Sequence, residues 1–110
     1  MAKDDFFRIV YVILSELYGH LKDGTKANLE DIGPKRFNIS DGYLLVIIDW
    51  LSTNGYVSGV RIRKTKTGRA VGDMEDIMIT PDGIKYLQEN STMKKVYRVL
   101  KEVRDWAPGF

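Results

Sequence analysis

The stretch SDGYLLVIIDWLSTNGYV, residues 40–57, decides how the chain is read. Ser40 supplies a hydroxyl that can accept hydrogen bonds from the free amides of a first helical turn. Leu44, Ile47, Ile48 and Leu51 then fall on one face at helical spacing, which predicts a buried side. Gly55 stops the helix, because without a Cβ it enters the left-handed region at no steric cost. Beyond it Tyr56 to Arg63 alternates as a strand, with Val60 and Ile62 on one side and Arg61 and Arg63 on the other.

Upstream, a first helix is predicted from about Asp5 to His20, capped by Asp4 or Asp5. Phe6, Val10, Ile13, Leu17 and Leu21 form its apolar stripe, widened by Phe7, Leu14 and Tyr18. An arc that broad packs against more than one neighbour. KDGTK reads as a loop, NLEDIG as a helical turn, and PKRFNI as a short second helix with Pro34 at its first position. Downstream, KTKTGRAVGDME is expected to be a long flexible tip, with Ile77 to Ile79 returning as the second strand of a hairpin. Thr80-Pro81 opens a helix to about Gln88, with Ile84 and Leu87 inward. A final helix follows from Met93 to Trp106, its apolar side formed by Met93, Val96, Tyr97, Leu100 and Val103.

The chain of 110 residues, 44% hydrophobic and 29% charged, suits one domain over 1–110, with a core at about 4–90 and a C-terminal helix at about 91–106. The absence of cysteine excludes disulfides and thiolate metal ligands. His20 is the single histidine. No carboxylate cluster is expected around it, so neither a metal site nor a cofactor is expected. No nucleotide-binding glycine motif and no nucleophile–base arrangement occurs, so the expectation is a protein that is not an enzyme. The apolar runs Ile9–Leu14 and Tyr43–Trp50 are far shorter than the ~20 residues of a membrane span, so no membrane partner is expected. Met1 leads into AKDD rather than a basic and then apolar leader, and the expected location is cytoplasmic.

Helix, short helix, helix, hairpin, helix, helix is the order of an α+β winged helix-turn-helix domain: a three-helix core, a β-hairpin wing and a C-terminal helical extension. Ser40, Leu44, Ile48, Leu51, Gly55 and Val57 resemble the third helix and following strand of that superfamily. ITPDGIKYLQEN, residues 79–90, resembles its strand-to-helix exit. LQENSTMKKVYRVLKEVRDW, at the C-terminal end, resembles the YjcQ family of Firmicutes and their phages. That resemblance implies the fold and a phage or prophage setting, and carries no functional residues.

The third helix is a poor reader of a duplex. From Phe37 through Val60 there is no lysine or arginine, whereas groove reading needs donors to base edges and cations for the flanking phosphates. Tyr43, Leu45, Val46 and Trp50 instead read as a surface for a protein partner, for a second copy of the chain, or for the last helix around Val99, Val103 and Trp106. The wing differs: Arg61, Arg63, Lys64, Lys66 and Arg69 place five cations in nine residues without an acid. Such a cluster suits phosphate contact or the minor groove. It also suits a charged edge that discourages strand aggregation. Lys35 and Arg36, before the third helix, are candidate accessory phosphate contacts. The leading expectation is a transcription regulator or accessory factor that binds double-stranded DNA mainly through the wing. The alternative is a protein-interaction or dimerisation module that uses the third or the C-terminal helix and does not read DNA.

Overall fold

A computed structural model of the chain describes residues 5–65 and 68–90. The expected final helix, about 91–106, and the candidate cation Lys66 lie outside the described residues.

Helix α1, Asp5–Asp23, is the centre of the fold. Ile9, Val10, Tyr11, Val12, Ile13 and Leu14 are all buried, as is Leu17. A helix apolar around its whole circumference must be surrounded. Here α1 packs against the 3-10 turn, two helices and one strand, all described next. The expected stripe was therefore too narrow: Leu21 and Phe7 are exposed, while Ile9, Tyr11 and Val12 lie inside. A short 3-10 turn, Leu29–Ile32, and α2, Pro34–Phe37, follow the loop and deliver Ile32 and Phe37 to the core. Asn28 caps the turn by accepting from the amide of Glu30, and Asn38 ends α2 in the left-handed region.

Helix α3, Asp41–Thr53, forms as the sequence dictates. Ser40 accepts from the amide of Tyr43, and Leu44, Ile47, Ile48 and Leu51 are buried. At its end Gly55, with φ +75°, donates to Ser52, and Tyr56 donates to Leu51 at 2.9 Å. This is the paired-carbonyl ending that a left-handed glycine permits.

The hairpin departs from expectation. Strand β1 is only Val57–Ser58 and pairs with β4, Met78–Ile79. The chain then breaks at Gly59, whose φ of +79° requires a residue without Cβ, and resumes as β2, Arg61–Thr65. The partner of β2 is β3, Gly68–Asp73, within the segment expected to be a flexible tip. Thr65 pairs with Gly68, so the ladder extends through most of that segment. Glycine and alanine are weak strand formers, but a paired ladder overrides such local preference. Both two-stranded sheets are antiparallel.

Helix α4, Pro81–Glu89, begins at Thr80, whose hydroxyl accepts from Gly83 and donates to the carbonyl of Gly55. The end of α3 and the start of α4 are thereby tied together. Gly83 is buried, and a Cβ there would collide with the carbonyl of Tyr56 and with Ile79. The α+β class holds, and the element order is compatible with a winged helix. Gly83→Ala is expected to lower unfolding stability by about 1–3 kcal/mol through overpacking. Gly42→Ala, where nothing lies within 4 Å, is expected to raise it by about 0.5–1 kcal/mol. Urea unfolding of the two variants checks both signs.

Candidate nucleic-acid interface

The cations of the hairpin are set by the β2–β3 ladder. Its register places Arg63 opposite Ala70 and Lys64 opposite Arg69, with Arg61 opposite Asp73 across a bulge. Arg61 is exposed. The sequence conceals two of these relations. Lys64 and Arg69 are brought directly across from one another, and an acid, Asp73, is brought to the base of the ladder.

Of the two accessory cations, Lys35 is exposed. Arg36 is not free to meet phosphate in this arrangement: its Nη2 lies 3.7 Å from Glu16 Oε1, with the two side chains 13% and 17% exposed. Its guanidinium also lies over the Phe37 ring, 5.9 Å from the centroid.

The face of α3 is divided. Val46 is 57% exposed, while Tyr43, Leu45 and Trp50 are half-buried, Trp50 against several aromatic neighbours. The Trp50 ring meets Phe6 at 5.7 Å, Phe7 at 5.8 Å, Tyr56 at 5.6 Å and Tyr86 at 6.4 Å. Tyr43 joins through Phe6 at 6.3 Å. Most of these contacts are edge-to-face, the arrangement that the ring quadrupole favours. Burial raises the phenol pKa of Tyr86, and neighbouring Tyr56 raises it further. The last helix was one expected cover for this face within the chain. Helices α1 and α4 already contact Trp50, and the residues of that last helix lie outside those described. No sequence spacing linked Phe6, Trp50, Tyr56 and Tyr86, because they come from three helices and a turn.

His20 is a correction. No carboxylate cluster was expected near it, yet Glu16 lies one helical turn before it on α1, and the fold brings Asp31 from the 3-10 turn. One potential ligand atom from each lies within 4.8 Å of the others. Glu16 was legible as an i, i+4 neighbour; Asp31 was not, since only the return of the loop places it there.

These features define a small α+β protein with a basic antiparallel arm, and no described helix is long and apolar enough to cross a membrane. The chain belongs to the YjcQ family, whose model, described as YjcQ protein, matches residues 11–106. It is similar to the Uncharacterized protein YjcQ of Bacillus subtilis (strain 168), 29% identical over 106 residues, covering 96% of this chain and 98% of that protein. No solved structure matches the chain.

The divided face of α3 sets a contrast. Trp50→Ala is expected to cost about 2–3 kcal/mol of stability, since it removes the centre of the aromatic cluster. Val46→Ser is expected to stay within about 0.5 kcal/mol of the parent. Thermal or urea unfolding of both variants checks this.

Proposed function

We propose that this chain is a winged helix-turn-helix protein, not an enzyme, that binds nucleic acid as a regulator or accessory factor. The order of helices and the hairpin after α3 support the fold assignment. The observation that carries the function is the β2–β3 register, which opposes Lys64 to Arg69 in a ladder that also contains Arg61 and Arg63. Arg61, Arg63, Lys64, Lys66 and Arg69 contact phosphates of double-stranded DNA, with Lys35 as an accessory cation. Phosphate neutralisation releases counterions and supplies sequence-independent affinity. Helix α3 contributes little to base reading, because its exposed positions include Asp41, Gly42, Val46 and Thr53 and no cation. Any sequence preference then comes from a partner or from a second copy of the chain.

A second reading rests on a different observation. Val46, 57% exposed, lies one turn before Trp50, and Phe7, 48% exposed, packs against Trp50. This apolar edge suits a protein partner or homodimer on a scaffold that does not read DNA.

Fluorescence anisotropy with a mixed-sequence duplex and a matched single strand, at several salt concentrations, tests the first reading. Micromolar binding to the duplex is expected, falling with a log–log slope of about 0.9 per phosphate contacted. Neutralising the five hairpin cations should weaken it about tenfold or more. Absence of binding to either nucleic acid at low salt would sink this reading. For the second reading, light scattering of the parent and of Val46→Ser should show an oligomer that the variant dissociates; a monomeric parent would remove the homodimer.

A further inference from the structure

We propose that Glu16, His20 and Asp31 bind a divalent first-row cation of the zinc type, which fastens α1 to the 3-10 turn. This site uses none of the hairpin residues and is independent of the nucleic-acid reading.

The ligand types come first. An imidazole with two carboxylates is a donor set that zinc accepts, with bonds of about 2.0–2.2 Å. Glu16 and His20 are four residues apart on one helix and so share a face. Asp31 comes from a separate element, so a bound ion would bridge two parts of the chain.

Geometry and burial agree with this. The three ligand atoms lie within 4.8 Å of one another, and all three residues are half-buried. In a tetrahedral zinc site, ligand atoms stand about 3.4 Å apart, given bonds of about 2.1 Å. Binding then requires rotations about the side-chain bonds of Glu16 and Asp31 to close the remaining gap.

The imidazole is also oriented. His20 Nδ1 lies 2.8 Å from Thr25 Oγ1 in the loop after α1. Metal-bound histidines commonly hold the second ring nitrogen in such a hydrogen bond, which fixes the ring and leaves the other nitrogen to ligate. With Nδ1 engaged by Thr25, ligation is assigned to Nε2. Arg36 stands 3.7 Å from Glu16 Oε1, and a carboxylate with two oxygens can meet a guanidinium on one and a metal on the other. His20 and Thr25 also line a cavity of about 330 Å³ that Glu75 and Asp76 border, on which Glu16 and Asp31 do not lie. The site has three protein ligands, which leaves a coordination position for water.

The test uses the full, tag-free chain and zinc chloride alone. Calorimetric titration is paired with nitrogen-resonance spectra of a histidine-labelled sample, in which the single histidine makes assignment unambiguous. The expected result is one ion per chain at micromolar affinity, a shift of the His20 Nε2 resonance, and a raised thermal midpoint. Asp31→Asn and His20→Gln should each weaken binding at least about tenfold, and Thr25→Val about tenfold. Three outcomes would overturn the proposal. These are no binding up to millimolar zinc, heat without a shift at His20, or affinity unchanged in Asp31→Asn. The His20 resonance is read in the parent chain, so an unmoved resonance overturns the proposal even where a variant fails to fold.

Discussion

The structure depends on the burial of α1. Six consecutive residues, Ile9 to Leu14, are removed from water, so no single neighbour can cover the helix. Each fully buried aliphatic side chain of this kind contributes roughly 1.5–3 kcal/mol by leaving water. Helices α3 and α4, strand β4 and the 3-10 turn all pack against it. The ends of these elements are therefore fixed by capping, and their relative placement by α1. The tie from Thr80 to Gly55 closes the shell, joining the end of α3 to the start of α4.

The two ends of α1 serve different chemistry. Near its start, Phe6 and Phe7 meet Trp50 and, through it, Tyr56 and Tyr86. This aromatic contact uses much of the α3 face that a groove-reading helix would present to bases. Near the end of α1, Glu16 and His20 approach Asp31, Arg36 and Thr25. Polar groups that are half-buried together need partners, because desolvation without hydrogen bonds or opposite charge is unfavourable. The hairpin stands apart from both regions in character. Its cation-bearing positions are set by a backbone ladder rather than by packing against α1.

What the sequence determined by itself is what local physical chemistry can specify. Ser40, Gly55 and Thr80-Pro81 place the ends of α3 and the start of α4, since a cap or stop acts within a few residues. The buried face of α3 followed from spacing alone, and the resemblance to the YjcQ family from the single stretch LQENSTMKKVYRVLKEVRDW near the C-terminal end. Tertiary structure decided the rest. Over Ile9 to Leu14 the full circumference of α1 is buried because neighbours arrive on every side, which no stripe encodes. Residues 68–73 become a strand because β2 supplies the hydrogen-bonding partner, despite a glycine-containing sequence that favours a loop. The opposition of Lys64 to Arg69, the aromatic contacts of Trp50, the pairing of Arg36 with Glu16 and the approach of Asp31 to His20 all join groups from separate elements. Such pairings depend on how the chain returns on itself, and only the packed fold fixes that.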